Sequence, residues 1–433
     1  MTGERNAAAV AGSAVSGAYL DYAAATPMDP EVVEAMLPYL TERFWNPSAP
    51  YALARSVRDD VERARATLAR LIGARPGNVV ITAGATEANN LAFAAVEGHV
   101  VVDAIEHESV LASAGTHARR TVRVGADGLV DPEAVRCAIK PETELVSVEL
   151  ANGELGCVQP VREISRVVAA ERTRRLEAGE RRPIWLHSDA SQAASCLSVN
   201  VSSLGVDLLT LSAAKVYGPK QVGLLWASDD VRLRPLVVGG GQEQGVRSGT
   251  ENVAGIVGFA RALELACARR SEDARHLGAL RERLHMRLLE RLPWMCVAGP
   301  SNPKRRLPGL LSVGFVGLEA RRLVIGLERE GVSVGTGSAC AASRMRVSHV
   351  LEAVGMPREL AEGSLRITLG RPTTEAEVDY AADALERVVR AEMARIGVDD
   401  EAMASRTAGL LAASGWRRAT RGHADRSAAK GEC

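Results

Sequence analysis

Short runs of apolar residues alternate with segments of helical periodicity along the first half of the chain. The apolar runs have strand length and predict strands at 78–82, 100–104, 145–150, 184–188, 208–212 and 222–226. Segments with apolar residues every three or four positions separate several of these strands, notably 86–96 and 161–177. Buried strands that alternate with helices predict an α/β domain with a largely parallel sheet.

A different pattern begins near residue 262. A long Arg/Glu-rich amphipathic helix is followed by an apolar run at 310–315, a helix at 320–330 and a strand at 332–334, which predicts a smaller α+β domain. Two domains are also what a chain of 433 residues favours. The boundaries we predict are a flexible leader (1–16), a large domain (17–261) whose arm (17–30) packs on the small domain, a small domain (262–396) and a flexible tail (397–433). A partner-docking role for the tail is the alternative.

Charge and composition exclude several classes of protein. Lys+Arg and Asp+Glu both number 53, so the balance favours neither nucleic acid nor an anionic membrane as a direct partner. No apolar run reaches the roughly 18 to 20 residues of a membrane-spanning helix. The seven cysteines are scattered without a C-x-x-C pair, so no metal site is indicated. We expect a cytoplasmic protein.

Reactive or polar residues follow the predicted strands, at the point where each strand ends. They are Thr86, His107, Asn152, Asp189 and Lys215. Because ligands bind at the carboxyl edge of open α/β sheets, we expect these side chains to face one ligand.

Lys215 is one of only five lysines in a chain with 48 arginines, and it follows the apolar run 208–212. A lysine at the end of a buried strand can be desolvated, which lowers its pKa and makes its amine a nucleophile. The alternative is a lysine whose amine simply extends to water. The stretch alone does not decide between them.

Two glycine-containing segments are candidates for anion binding. Gly84-Ala85-Thr86-Glu87 joins a strand to a helix, where free N–H groups and the Thr86 hydroxyl attract a phosphate, although small residues also form ordinary turns. The run 239–250 begins with three glycines and ends with Arg247, Ser248 and Thr250, which are anion-seeking donors. It does not fit the dinucleotide fingerprint.

Four further side chains have both a chemical and a structural interpretation. A buried Asp189 needs a positive partner, which a protonated pyridine nitrogen or an arginine supplies. His107 can stack on a flat ring, donate a proton or be an ordinary core histidine. Cys340 stands in a loop of small residues with Arg344 and Arg346 nearby, which favours a thiolate over a buried inert thiol. Arg366, in a predicted strand, needs a carboxylate from a substrate or from the protein.

The order and spacing of eleven sequence blocks identify a family resemblance. They are YLDYAAATP, NPSA, ITAGATEANNLA, IEHESVL, ANGELGCVQP, HSDASQ, LSAAKVYGPKQVG, GGGQEQGVRSGTEN, GTGSAC, SHVLEAVG and SLRITLGRPTT. From Tyr19 to about Ile396, the chain resembles pyridoxal-phosphate-dependent cysteine desulfurases of the NifS/IscS type. These belong to the class V aminotransferases of fold type I, so the resemblance implies a mostly parallel, seven-stranded-type sheet and a smaller α+β C-terminal domain.

The resemblance implies a role for each matching position. Lys215 would hold pyridoxal 5'-phosphate covalently, Asp189 would pair with its ring nitrogen, His107 would stack on the ring, and Gln192 would bond its phenolic oxygen. The phosphate would be bound by Ala85, Thr86 and Ser212 and, from the second subunit of a homodimer, by Thr250. Asn152 and Arg366 would bind the carboxylate of the substrate. Cys340 would be the nucleophile.

The implied reaction converts L-cysteine to L-alanine and leaves the sulfur as a persulfide on Cys340. The loop from Cys340 to Ser348 has the length of the subgroup that hands sulfur directly to acceptor proteins. The expected partner is a sulfur acceptor in iron–sulfur cluster assembly or thio-modification. Alternatives are a selenocysteine lyase, another class V enzyme, or a cofactor-binding scaffold of reduced activity.

Three departures from the family pattern bear on these expectations. Ala214 replaces the histidine that usually precedes the lysine and helps to bind phosphate. Tyr51 and Ala54 stand where His and Gly are common, and Gly153 replaces a second asparagine after Asn152. The first departure removes a phosphate donor, so we expect weaker cofactor retention.

Overall fold

The computed structural model describes residues 17–336 and 347–416. The strands in this part of the chain are β1 (Ala18–Tyr19), β2 (Val79–Thr82), β3 (His99–Asp103), β4 (Arg119–Val122), β5 (Thr143–Ser147), β6 (Trp185–Asp189), β7 (Leu208–Ser212), β8 (Gly223–Ala227), β9 (Cys296–Val297), β10 (Leu310–Gly314), β11 (Val332–Ser333) and β12 (Ser364–Thr368).

The helices of the described residues follow the same order along the chain. They are α1 (Pro30–Met36), α2 (Pro38–Thr41), α3 (Ala52–Ile72), α4 (Ala85–Ala94), α5 (Glu108–Ala114), α6 (Pro132–Ala138), α7 (Val161–Glu177), α8 (Val201–Leu204), α9 (Val253–Arg291), α10 (Ala320–Arg329), α11 (His349–Ala353), α12 (Arg358–Ala361), α13 (Glu375–Arg395) and α14 (Asp400–Ser414).

A seven-stranded sheet forms the centre of the large domain, with the strand order β2-β8-β7-β6-β5-β3-β4. All pairs are parallel except those that β8 makes with β2 and β7. Apolar residues on both faces are buried under helices, which explains the near-continuous apolar runs of the inner strands. The predicted mostly parallel α/β sheet is confirmed.

Strand β4 was not predicted from the sequence. Its residues Arg119, Arg120 and Thr121 are exposed, and only Val122 is buried. It lies at the edge of the sheet beside β3, where one neighbour is enough and no apolar run is needed.

The smaller part of the fold is built on the antiparallel sheet β12-β10-β9. Residues of the arm join it, because β1 pairs with β11 and Leu20 lies in the same apolar core. Helix α9 runs without a break from Val253 to Arg291 and contributes Phe259 to the core of the large domain and Leu284 to that of the small one. The boundary that we predicted at residues 261 and 262 therefore falls inside a continuous helix.

The prediction of a flexible tail from residue 397 is wrong for residues 400–414, which form α14. Asp399 caps this helix by accepting from the N–H of Ala402 at 2.8 Å, and its many alanines favour helix formation. Trp416, which follows the helix, is only 6% exposed and belongs to an apolar cluster between the two domains. The scarcity of bulky residues in this segment led us to predict a flexible tail. The prediction failed because alanine, although small, is the strongest helix former.

Other predictions fall outside the described residues. These are the leader 1–16, the end of the tail from 417 to 433, and Cys340. No helix in the described ranges is long and apolar enough to cross a membrane.

Candidate active site

The topology brings the predicted site residues to one edge of the sheet. Strands β3, β5, β6 and β7 are parallel and adjacent, so their carboxyl ends lie side by side. These ends lead into His107, Asn152, Asp189 and Lys215. Thr86 follows β2, which runs in the same direction beyond the antiparallel β8.

Lys215 ends a short 3₁₀ turn, 213–215, that directly follows β7. Its Nζ donates to the carbonyl oxygens of Ala23 at 2.6 Å and Ala24 at 2.7 Å, both in the arm. The pKa of Lys215 is lowered to about 8, mainly by burial and next by the charge of Arg366, while Asp189 and Asp21 partly offset these effects. The amine is therefore held in an environment that disfavours its charged form.

Asp189 is the last residue of β6 and is 9% exposed. Its Oδ2 accepts from Asn89 Nδ2 at 2.8 Å, and its Oδ1 accepts from the backbone N–H of Ser191 at 2.9 Å. These bonds fix the carboxylate without an arginine partner. Sequence reasoning did not single out Asn89, although its place one turn after Thr86 on α4 put it on the side of the helix that faces the site.

The start of α4 offers free donors to an anion. Gly84 caps the helix with a φ of 125°, a conformation that favours glycine, and Ala85 and Thr86 form its first turn. Among the described residues, neither the Thr86 hydroxyl nor that of Ser212 makes a hydrogen bond, and Ser212 ends β7 close to the lysine in sequence. A helix N-terminus with two uncommitted hydroxyls suits a phosphate group.

His107 is exposed at the N-cap of α5, with its ring oriented by a neighbour. Its Nδ1 accepts from the backbone N–H of Ser109 at 3.1 Å and lies 2.8 Å from the Ser109 hydroxyl. The structure thus contradicts the interpretation of His107 as a core histidine, and one face of the imidazole is available to a ligand.

Asn152 is buried, and its amide is fully used within the protein. Its Nδ2 donates to Ile105 O at 3.0 Å and to Glu149 Oε1 at 2.7 Å, and its Oδ1 accepts from the backbone N–H groups of Glu154 and Leu155 at 2.8 and 2.7 Å. A direct bond to a substrate would require the amide to give up one of these partners. Its predicted role in substrate binding stays a prediction.

Arg366 on β12 is 6% exposed and only partly paired. Its Nη2 donates to Asp21 Oδ1 at 2.8 Å and its Nη1 to the carbonyl of Gly153 at 3.3 Å. Its Nε is buried and has no hydrogen-bond partner among the residues that the structure describes. A buried guanidinium with an unused donor can accept a further carboxylate.

Gln192 and Ala214 both contact the arm. Gln192 Nε2 donates to Ala23 O at 3.1 Å, the same oxygen that Lys215 uses. The carbonyl of Ala214 accepts from the Thr26 hydroxyl at 3.0 Å. Because alanine has no polar side chain, this position supplies no donor to an anion.

Thr250 is exposed, in the segment that follows the glycine run. Nearby, Arg247 Nε donates to Glu87 Oε1 at 2.9 Å, which holds the segment against the first turn of α4.

Cys340 lies outside the described residues, but both ends of its segment are close to the site. Before it, the backbone groups of Gly335 and Arg366 exchange hydrogen bonds of 2.7 and 3.0 Å. After it, Ser348 caps α11, and His349 Nε2 lies 3.1 Å from the carbonyl oxygen of Glu106.

Three buried carboxyl groups behind the site were missed from the sequence. Asp103 and Glu106 are 0% exposed and Glu149 is 5% exposed, and none forms an ion pair within the described residues. Burial is the main cause that raises the pKa of Asp103 to about 7 and those of Glu106 and Glu149 well above the ordinary value. No group of His, Cys, Asp or Glu in this part of the chain could hold a metal ion.

The site fits pyridoxal phosphate by the chemistry of its donors. The α4 terminus and the Thr86 and Ser212 hydroxyls suit the phosphate, and the oriented Asp189 carboxylate suits a protonated ring nitrogen. Lys215 suits the aldehyde, because a lowered pKa leaves more of its amine neutral. The fold is that of fold type I enzymes.

Comparison with known proteins agrees with this class. The family model "Aminotransferase class-V" matches residues 18–381. The chain is 38% identical over 383 residues to the cysteine desulfurase IscS of Dictyoglomus turgidum, with 86% of this chain and 94% of the relative covered. A solved NifS-like protein superposes with a TM-score of 0.78 at 32% identity, covering 86% of this chain and 99% of that structure. The structure "SspA in complex with cysteine" has a TM-score of 0.69 at 31% identity, covering 81% and 98%.

The chain belongs to the class V aminotransferase family. Within that family its relatives are cysteine desulfurases of the NifS/IscS type, so the resemblance predicted from the sequence blocks is confirmed.

Proposed function

We propose that this protein is a pyridoxal-phosphate-dependent cysteine desulfurase, which converts L-cysteine to L-alanine and carries the released sulfur on Cys340. The observation that carries the proposal is that Lys215 lies within electrostatic reach of Asp189, at the same edge of the large sheet, and of Arg366 from the small sheet, in a chain whose relatives are named cysteine desulfurases. The neighbour solved with cysteine supports this amino acid as the substrate.

The residues of this chain bind and orient the reactants. The partly paired Arg366 is the candidate for the substrate carboxylate, since its buried Nε has no partner within residues 17–336 and 347–416. Asn89 and Ser191 hold the carboxylate of Asp189, which would pair with the ring nitrogen of the cofactor. Lys215 would hold the cofactor, and its amine, when free, would move the α-proton of the substrate. The exposed imidazole of His107 would stack on the ring of the cofactor and could donate a proton.

The bound cofactor supplies an electron sink that weakens the Cβ–S bond of the substrate. The Cys340 thiolate attacks the substrate sulfur, the S–S bond forms as the C–S bond breaks, and the carbon is protonated to give alanine. The arrangement of the flanking residues supports this role, because Gly335 pairs with Arg366 shortly before the Cys340 segment.

The active form that we propose is a homodimer in which Thr250 completes the phosphate site of the other subunit. Large apolar side chains are exposed in the region of α1 and α2 and before the glycine run: Leu37 (52%), Leu40 (60%), Phe44 (68%) and Val238 (79%). Exposed apolar surface of this kind marks an interface. Phe44→Glu should yield a monomer in sedimentation velocity; a Phe44→Glu dimer as stable as the unsubstituted protein would exclude this surface.

We further propose that a sulfur-acceptor protein takes the persulfide sulfur, and the cytoplasmic location remains a prediction.

The proposed reaction is tested by measuring alanine and sulfide release from L-cysteine by the cofactor-loaded protein. Lys215→Ala should release no alanine above background while keeping the fold by circular dichroism. Equal rates in both proteins would refute the proposed chemistry.

A further inference from the structure

The buried carboxyl group of Glu149 has no part in the mechanism described so far. It lies just beyond the end of β5 and is 5% exposed. A polar group is buried at a cost unless it has a hydrogen-bond partner. The partner of Glu149 is the amide of Asn152, whose Nδ2 donates to Oε1 at 2.7 Å.

The same amide connects two of the strand ends that form the site. Besides Glu149, its Nδ2 donates to the carbonyl of Ile105 at 3.0 Å, two residues before His107. The N–H of Ile105 in turn donates to Asp103 Oδ1 at 2.8 Å. The backbone of Ile105, which leads to His107, is thus held on both sides: Asp103 of β3 accepts from its N–H, and Asn152 donates to its carbonyl oxygen.

We propose that Glu149 is a positioning residue: it fixes the Asn152 amide and, through it, the 105–107 segment that presents His107. The inference rests on the proposed function, because it assigns a purpose to holding His107 still. It also gives Asn152 a role that its four internal hydrogen bonds favour, namely joining the turn after β5 to the turn after β3.

The electrostatic surroundings indicate which form of Glu149 does this. Burial raises its pKa well above the ordinary value, and the nearby Asp103, Asp189 and Glu154 raise it further, whereas the bond from Asn152 lowers it. These surroundings therefore favour the neutral acid over the carboxylate. A neutral carboxyl keeps a carbonyl oxygen that accepts the amide N–H, and the side chain of glutamine offers the same oxygen in the same place.

The test compares Glu149→Gln, which keeps the acceptor, with Glu149→Leu, which removes it. We measure kcat and KM for L-cysteine, the affinity of the cofactor-free protein for pyridoxal phosphate, and the midpoint of urea unfolding. Asp207→Asn is the matched control, because Asp207 is also largely buried and accepts from Leu186 N at 2.8 Å, but it precedes β7 at the opposite edge of the sheet.

Glu149→Gln should keep kcat and KM within about two-fold of the unsubstituted protein. Glu149→Leu should lower kcat about ten-fold or more, with a smaller change in KM, because a misplaced catalytic group slows the chemical step more than it weakens binding. Asp207→Asn should lower the unfolding midpoint and leave kcat unchanged. Should Glu149→Leu fail to fold, Glu149→Met removes the same acceptor with an unbranched side chain of similar length, and should show the same loss of kcat.

The proposal is overturned if the glutamine variant is as impaired as the leucine variant, if the leucine variant keeps full kcat, or if Asp207→Asn loses kcat equally. If the unsubstituted protein releases no alanine, the proposed function fails. The affinity for pyridoxal phosphate then tests the positioning role of Glu149. Weaker binding in Glu149→Leu alone supports the positioning role, and equal binding in all variants refutes it.

Discussion

The lowered pKa of Lys215 makes a prediction that can be tested without cofactor or substrate. Burial and the charge of Arg366 lower it from 10.5 to about 8. At pH 7 an amine with this pKa is about 9% neutral, against about 0.03% for an ordinary lysine, so its nucleophilic fraction is about 300-fold larger. The rate at which Lys215 is acylated should therefore level off above pH 8 to 9 rather than rise to pH 11.

Competitive acetylation of the cofactor-free protein with limiting acetic anhydride, read by peptide mass spectrometry, measures this rate. The chain has only five lysines, and the exposed Lys304 provides an internal reference in the same sample. Two substitutions give shifts of opposite sign. Arg366→Gln removes a charge that lowers the pKa of Lys215, so the midpoint should rise, and Asp21→Asn removes a charge that raises it, so the midpoint should fall.

A Lys215 profile that coincides with that of Lys304 would refute the assigned environment. Shifts of the same sign in Arg366→Gln and Asp21→Asn would contradict the electrostatic argument, even if the midpoint lay near 8. A substitution of the exposed Arg358 to Gln serves as the control and should leave the midpoint unchanged, because its charge is screened by solvent.

Two further predictions concern the phosphate site and the C-terminal helix. Ala214→His should bind pyridoxal phosphate about ten-fold or more tightly in an absorbance titration, because a hydrogen bond to a charged group contributes about 1.5–3 kcal/mol; equal affinities would contradict it. Trp416→Ala should lower the free energy of unfolding by about 3–5 kcal/mol in urea, since a buried aromatic side chain is lost from the interdomain cluster. Trp416→Phe should cost much less, as the indole N–H has no partner in the described part of the chain, and equal losses in the two variants would exclude packing as the cause.

The sequence predicted the sheet and the edge at which the site forms, for a physical reason. Strands buried on both faces are largely apolar, so their ends are visible as the point where an aspartate, Asp103 in β3 or Asp189 in β6, closes the run. An exposed edge strand such as β4 is under no such constraint, so it left no signal.

The partners of the site residues were not predictable in the same way. Asn89 meets Asp189 across 100 positions of sequence, and Glu149 and Ile105 meet at the amide of Asn152 only because β3 and β5 are adjacent in the sheet. Such contacts depend on the strand order, which the apolar pattern does not specify. The predicted roles of individual residues therefore came from the family blocks, while their fixation in space came from the structure.

The most direct test of the account is the fate of the substrate sulfur at Cys340. After a single turnover of the cofactor-loaded protein with L-cysteine, intact-mass and peptide analysis should find one additional sulfur on the peptide of Cys340, and Cys340→Ala should retain cofactor but lose the persulfide and alanine release. Cys267→Ala, a substitution on α9, is the matched control and should behave as the unsubstituted protein. Full alanine release with sulfur transfer in Cys340→Ala would contradict the proposed mechanism.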